Sequence, residues 1–171
     1  MPARHELYIL EALRLREKYR GQIKVLVGFE GEWIRRSDTN FILGYAQDPR
    51  IDFFIGSVHH IHEIPIDWGL ELFEKAKQSS GGIEEKLYED YFDAQLEMLT
   101  SLQPRVVGHF DLIKLLSSDP TRDLRIWAGV WMRIVRNLKI IVEQKALLEI
   151  NTSALRKGLS EPYPGRVICE V

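Results

Sequence analysis

Hydrophobic residues along this chain fall into two kinds of block, which predict helices that alternate with buried strands. In the longer blocks, apolar residues recur at helical spacing with charged residues between them, predicting helices over residues 5–20, 38–46, 69–78, 83–102 and 121–145. Four shorter runs are nearly continuous in apolar residues, as is typical of strands buried on both faces: Ile23–Phe29, Ile51–Val58, Arg105–Gly108 and Ala146–Ile150. This alternation predicts an α/β fold with parallel strands.

A polar residue suited to a metal or phosphate site follows each predicted strand. These residues are Glu30, His59, His109 and Asn151. A β/α barrel builds its active site from side chains at the carboxyl ends of successive strands. Neutral imidazole is the commonest metal ligand, and a carboxylate completes many hydrolytic sites. The joint pattern favours a metal-dependent hydrolase, although any one of these histidines taken alone would more often be a packing residue.

The residues beside Glu30 and His59 leave the choice of ligands partly open. Successive strand residues point to opposite faces, so His59 and His60 do not easily serve one site unless the strand ends between them. We favour His59 because it directly follows the apolar run, and we expect His60 and His62 to line the pocket or to pack. Glu32 would share a face with Glu30 if the strand continued, and either carboxylate could bind a metal ion.

Three further positions could contact a substrate or support a ligand. Arg156, close after Asn151, offers planar bidentate donors to a phosphate, but from spacing alone an ordinary charged helix end is the preferred interpretation. Asp111 could accept a hydrogen bond from His109 or cap the next turn. Asp67 could reach a substrate amine.

Composition narrows the class of protein further. The 171 residues are 45% hydrophobic and 28% charged, which is ordinary for one folded domain, and we treat residues 1–171 as a single domain. The net charge of −2 gives no reason to expect a nucleic acid or an anionic membrane as partner. A single cysteine, Cys169, excludes a disulfide within the chain, and no signal peptide or membrane span is evident. We therefore expect a cytoplasmic protein.

Several segments together resemble the histidinol-phosphatases of the polymerase-and-histidinol-phosphatase (PHP) superfamily, over nearly the whole chain and in order. The segments are Gly28–Glu32, Gly56–His60, Val106–Leu112 and Leu148–Lys157. The fungal form is the most similar, given two further segments, Ile64–Asp67 and Ser160–Pro164.

The resemblance implies a distorted (β/α)7 barrel that holds two or three divalent ions, which would be zinc, iron or manganese. The implied reaction is hydrolysis of L-histidinol phosphate to L-histidinol and phosphate, in histidine biosynthesis. By position, Glu30 matches the family's bridging carboxylate, and His59 and His109 match histidine ligands. Arg156 falls where a phosphate-contacting arginine is plausible. Asn151 and His62 are further substrate-binding candidates.

The sequence lacks three motifs of that family, namely an initial His-x-His pair, a Thr-Glu-His segment and a late Ser-Asp-x-x-His segment. We therefore expect the central part of the barrel, with one metal ion bound by three ligands, little turnover, and self-association through exposed barrel edges. Two alternatives stay open. One is a non-catalytic metal-binding or interaction fragment, and the other is a different PHP phosphoesterase.

Overall fold

The computed structural model describes residues 2–171, and side chains are described from Arg4 onward. The helices are α1 (Pro2–Lys18), α2 (Thr39–Ala46), α3 (Leu70–Ser79), α4 (Glu84–Leu102), α5 (Ala128–Glu143), α6 (Ser153–Arg156) and α7 (Arg166–Cys169). The strands are β1 (Gly28–Glu32), β2 (Phe53–Ser57), β3 (His60–Ile61), β4 (Ile64–Pro65), β5 (Val106–Val107) and β6 (Leu147–Leu148). Short 3₁₀ turns occupy Arg36–Asp38, Leu112–Leu116 and Leu124–Ile126.

Four of these strands form one parallel sheet in the order β1-β2-β5-β6. The register runs from Gly28 beside Phe53 to Glu32 beside Ser57, and Val107 lies beside Leu148. Helices connect the strands, so the predicted α/β fold with parallel strands is confirmed. Strands β1 and β6 are the two edges of this sheet. Within residues 2–171, no helix is long and apolar enough to cross a membrane.

Helices α4 and α5 pack together, and a buried amide network joins α4 to the segment that follows β5. The side chain of Asn137, on α5, donates to the backbone oxygen of Phe92 at 2.7 Å and to Gln95 Oε1 at 3.1 Å. Gln95 Nε2 in turn donates to the backbone oxygen of Phe110 at 2.9 Å. Buried polar groups are costly unless they are paired, so this network fixes α4 against the chain beside His109.

The first strand begins five residues later than the predicted span Ile23–Phe29, so that prediction is wrong in its bounds. Ile23 and Leu26 are 63% and 54% exposed, so this part of the run lacks the burial on both faces that its apolar continuity predicts. Before Gly28 the backbone is held by the side chain of Asp52, which accepts from the Val27 N–H at 2.6 Å. The apolar run was therefore a poor guide, and Glu30 lies within the strand instead of after it.

The predicted helix over 121–145 begins only at Ala128, and this prediction is wrong at its start. Asp123 accepts a hydrogen bond from the Arg125 backbone N–H at 3.0 Å, which closes a local turn. Trp127 then has a non-helical backbone, and its ring stacks against the Arg122 guanidinium at 4.5 Å. Local side-chain bonding and stacking override the helical spacing here.

A hairpin formed by β3 and β4 was not predicted. Its loop residues, His62 and Glu63, have φ values of 51° and 62°, the left-handed region that two-residue hairpin loops require. The Asn-Gly and Asp-Gly pairs that usually signal such a loop are replaced by His-Glu, so no turn is predicted from these residue types. The hairpin turns the chain immediately after His59.

Candidate metal centre

Three side chains converge at the end of the sheet where its strands terminate. Glu30 lies on β1, His59 follows β2 and His109 follows β5. Glu30, His59 and His109 each offer a ligand atom, and these atoms lie within 4.8 Å of one another. His109 Nε2 is 3.1 Å from Glu30 Oε1, and His59 Nε2 is 3.7 Å from the same oxygen. The convergence expected from the strand ends is therefore present. The role of the three residues as metal ligands stays a prediction.

Strand register brings these residues together. Glu30 lies beside Ile55 in β2, and β2 ends at Ser57, two residues before His59. On its other side β2 pairs with β5, and the Gly108 N–H continues this pairing to the Gly56 oxygen at 3.0 Å. His109 is the next residue. His59 and His109 thus follow the carboxyl ends of β2 and β5, and Glu30, in the middle of the neighbouring β1, reaches the same end of the sheet, where α/β proteins place their ligands.

The backbone at His109 is held by a carboxylate from beyond β6. Glu149 Oε2 accepts from the His109 backbone N–H at 2.9 Å and from Asn151 Nδ2 at 3.1 Å. His109 itself has a φ of 22°, a conformation that non-glycine residues rarely adopt. Glu149 stabilises this unusual turn and so aims the imidazole at Glu30. Sequence reasoning missed Glu149, although it precedes Asn151 by only two residues.

Glu30 is kept ionised by its neighbours. The hydrogen bond with His109 and the one from Ser57 Oγ, at 2.5 Å, lower the pKa of Glu30 to about 2, although burial opposes the shift. A carboxylate that is charged at neutral pH is ready to bind a cation. Sequence reasoning also missed Ser57, which ends β2 and donates to this carboxylate.

His59 is under opposing influences. Burial acts to lower the pKa of its imidazole, but the hydrogen bond with Glu32 and the nearby charges of Asp67 and Glu30 outweigh burial, so the net shift is upward. The ring thus sits in a strongly negative environment. Such an environment favours any cation, whether a proton on the ring or a metal ion beside it.

Glu32 and His60 lie next to this group. Strand β1 runs through residue 32, so Glu30 and Glu32 share a face, as expected if the strand continued. Glu32 Oε1 is 3.4 Å from His59 Nδ1 and 2.6 Å from His60 Nδ1. His60 therefore lines the site through Glu32 instead of facing Glu30.

The donor set fits a divalent cation. Two imidazole nitrogens and one carboxylate oxygen are the ligand types of catalytic zinc sites, which keep a further position open. Both Nε2 atoms face Glu30 Oε1, and the Nδ1 atom of His109 is buried without a hydrogen-bond partner among the described residues. Each Nε2 atom thus points at the carboxylate with which it would share a cation.

The residues expected to bind substrate lie in different surroundings. Asn151 is linked through Glu149 to the backbone of His109, whereas Arg156 is exposed at the end of α6. His62 Nε2 lies 2.9 Å from Asp90 Oδ2 and 3.4 Å from Ser80 Oγ. These are the residue types of a hydrolytic triad, but both contacts use one nitrogen, so no proton relay is formed.

The two expected roles of Asp111 are both wrong. Its Oδ2 atom lies 2.8 Å from Lys114 Nζ and accepts from the Gly165 backbone N–H at 2.9 Å. It makes no hydrogen bond to the His109 ring and does not cap the following 3₁₀ turn. Burial raises the pKa of Asp111 although Lys114 opposes the shift. Its partners are Lys114, three residues later, and Gly165, 54 residues away, so the residues beside His109 did not indicate this role.

Asp67 stands close to the candidate metal centre. Its Oδ1 atom is buried and has no hydrogen-bond partner among residues 4–171. The hydroxyl of Tyr163, whose side chain is fully buried, is likewise without a partner in that range. Burial raises the pKa of Tyr163, and the charges of Asp111 and Asp67 add to the shift. Asp67 Oδ1 and the Tyr163 hydroxyl are thus two buried polar groups without a partner among the described residues.

Comparison with known proteins places this arrangement among related folds. The PHP domain family matches residues 5–153. A probable histidinol-phosphatase of Schizosaccharomyces pombe is 40% identical over 165 residues, which cover 96% of this chain and 54% of that protein. The histidinol-phosphatase of Saccharomyces cerevisiae is 37% identical over 141 residues, covering 71% of this chain and 42% of that protein.

A solved structure has the same fold. It is a histidinol phosphate phosphatase from Lactococcus lactis, in complex with zinc, L-histidinol and phosphate. The likeness has a TM-score of 0.68 at 22% identity and covers 86% of this chain and 53% of that one. The chain thus spans about half the length of the relatives it matches.

Proposed function

Because its residues 5–153 match the PHP domain family, this chain belongs to that family, and we propose that it acts as a histidinol-phosphatase. The proposed reaction is metal-dependent hydrolysis of L-histidinol phosphate, a phosphate monoester, to L-histidinol and phosphate, within histidine biosynthesis. Two fungal relatives that carry this name support the choice of substrate. We also propose the cytoplasm as its location, consistent with a single exposed cysteine.

The observation that carries this proposal is the convergence of Glu30, His59 and His109, with ligand atoms within 4.8 Å of one another. These side chains would hold one divalent ion, either zinc, iron or manganese, through two nitrogens and one oxygen. Such an ion supplies Lewis-acid chemistry, polarising a phosphoryl oxygen and neutralising its charge. Glu30, ionised at neutral pH, provides the anionic ligand, and the two imidazoles orient the site.

The chain's remaining polar residues would orient the substrate. Arg156 would pair with the phosphate through its planar guanidinium, and Asn151 would donate from its amide. His62 would contact the substrate through Nδ1, since its Nε2 is occupied by Asp90. The unpartnered oxygen of Asp67 would accept a hydrogen bond from the protonated amine of L-histidinol phosphate.

We also propose self-association through the sheet edges β1 and β6. Exposed apolar residues flank both edges, including Leu26 at 54% and Leu147 at 57% exposure. Unpaired strand edges template pairing with another chain. Light scattering at micromolar concentration checks this, and a monodisperse monomer would contradict it.

One paired assay tests the proposed function. The purified chain is loaded with zinc, then phosphate release is measured from L-histidinol phosphate and, separately, hydrolysis of an oligonucleotide. We expect one zinc ion per chain and slow, selective release of phosphate, because a single ion has three protein ligands. Glu30→Gln should abolish both zinc binding and release. Zinc binding without release would favour the non-catalytic alternative, and oligonucleotide hydrolysis would favour another PHP phosphoesterase.

A further inference from the structure

Glu32 occupies a position that the proposed ligand set does not use. A single oxygen of this residue, Oε1, faces the Nδ1 atoms of two histidines, at 3.4 Å from His59 and 2.6 Å from His60. On the other side of the His59 ring, Nε2 faces Glu30 Oε1 at 3.7 Å. The ring of His59 thus lies between two carboxylates that project from the same face of β1.

This placement bears on which nitrogen of His59 carries its proton. A neutral imidazole has one N–H donor and one nitrogen with a free lone pair. A carboxylate beside Nδ1 stabilises the tautomer protonated there, which leaves the Nε2 lone pair free towards Glu30. The partner of the second nitrogen commonly fixes the tautomer and the orientation of a metal-ligating histidine.

His60 lies beside the Glu32 carboxylate. It lies on β3, where it pairs with Pro65 of β4, so the hairpin fixes its backbone. Its side chain is only 13% exposed, and its Nδ1 atom lies 2.6 Å from Glu32 Oε1, a close contact without hydrogen-bond geometry that limits the space in which the carboxylate can turn. The unpredicted hairpin therefore serves the site through His60.

We propose that Glu32 is a positioning residue for the metal centre, which selects the tautomer of His59 that presents Nε2 to the cation. The inference rests on the proposed function only in requiring that His59 binds metal. A direct ligand role for Glu32 is disfavoured, because its oxygen faces the two Nδ1 atoms and Glu32 lies outside the group of converging ligand atoms.

The first test reads the tautomer directly in the metal-free chain, by long-range proton–nitrogen correlation NMR of the histidine rings. We expect His59 to be protonated at Nδ1 in the wild-type chain. Glu32→Ala should shift it towards the Nε2-protonated form, which free imidazole side chains prefer. His109 is the internal control, because its Nδ1 has no partner among the described residues and its tautomer should not change. An Nε2-protonated His59 in the wild type would overturn the proposal.

The second test measures zinc affinity by competition with a chromophoric chelator. Loss of such an outer partner typically weakens metal binding by about 10- to 100-fold, and we expect this for Glu32→Ala. Glu32→Gln keeps one acceptor oxygen without the charge, so its affinity should fall between the other two. Glu71→Ala, which changes an exposed glutamate on α3, is the matched control and should bind as the wild type does.

The outcomes separate this inference from the proposed function. Equal zinc affinity in the wild type and in Glu32→Ala would overturn the positioning role and leave the metal centre standing. Absence of zinc binding from both chains would remove the proposed metal centre and this role with it. Circular dichroism of each variant checks that the fold is retained, and Glu32→Gln keeps the test decisive if Glu32→Ala fails to fold.

Discussion

The carboxylates of Asp111 and Glu30 obtain positive charge in different ways. Asp111 is 2% exposed at its side chain and lies 2.8 Å from the ammonium of Lys114, so the chain supplies its counter-charge. Glu30 is 47% exposed at its side chain, and no lysine or arginine of the described chain forms an ion pair with it. Its neighbours are imidazoles, which can be neutral. In this chain the buried acid thus has its counter-charge within the fold, whereas the candidate ligand acid is open to a cation from solution.

The largest expected effect comes from removing the ammonium of Lys114, which is the counter-charge of Asp111. Lys114→Met leaves Asp111 buried without its partner, and breaking a buried pair in this way costs about 3–5 kcal/mol of unfolding free energy. Urea denaturation measures the change. Lys75→Met, on an exposed position of α3, is the matched control and should stay within about 0.5 kcal/mol of wild type. A loss below about 1 kcal/mol for Lys114→Met would show that Asp111 does not depend on Lys114.

The second-largest expected effect is the stabilisation of the chain by zinc bound at Glu30. A ligand that binds only the folded state stabilises it, by about 2.7 kcal/mol at a free concentration 100 times its Kd. Zinc should raise the unfolding free energy of the wild-type chain by this amount and leave Glu30→Gln unchanged. Denaturation with and without zinc provides the measurement. An equal gain in both chains would place the zinc ion elsewhere on the molecule.

Asp67 is an intermediate case, since one of its oxygens is buried without a partner in the described chain. Asp67→Asn should weaken binding of L-histidinol to the zinc-loaded chain about 10- to 150-fold, because a hydrogen bond to a charged group contributes about 1.5–3 kcal/mol. Titration calorimetry measures the Kd. The control ligand is the same imidazolyl alcohol without its amine, whose affinity should not change. Equal weakening for both ligands would contradict an amine contact.

The smallest expected effect belongs to an ion pair that water screens. Arg35 and Glu63 join β1's following loop to the hairpin tip at 2.8 Å, with side chains 55% and 56% exposed. Arg35→Ala should therefore lower the unfolding free energy by no more than about 1 kcal/mol. Thermal denaturation checks this, and a loss comparable to that of Lys114→Met would mean that exposure does not govern these pairs.

Much of the candidate site could be predicted from local sequence, because strand ends meet at one edge of a parallel sheet. His59 and His109 each follow a short apolar run. That position alone was enough to predict that their side chains lie close to Glu30, as they do in the structure. Helix bounds such as Glu84–Leu102 likewise matched the helical spacing of apolar residues.

The remainder depends on contacts that no local pattern contains. Glu149 holds the backbone of His109 across 40 residues, and Asp111 accepts from Gly165 across 54. The hairpin loop at His62 and Glu63 uses left-handed conformations without the residues that usually signal them. The segment before Gly28 is apolar but not a strand, and only Val27 of residues 23–29 is buried, whereas Ile23 and Leu26 are exposed.

The most direct test of the metal centre is X-ray absorption spectroscopy of the zinc-loaded chain at one ion per chain. We expect nitrogen and oxygen ligands at about 2.0–2.1 Å from the zinc ion, with the outer scattering that two imidazoles produce. Glu30→Gln should lose that spectrum. A sulfur neighbour at about 2.3 Å, or a shell of oxygen atoms alone, would contradict binding by Glu30, His59 and His109.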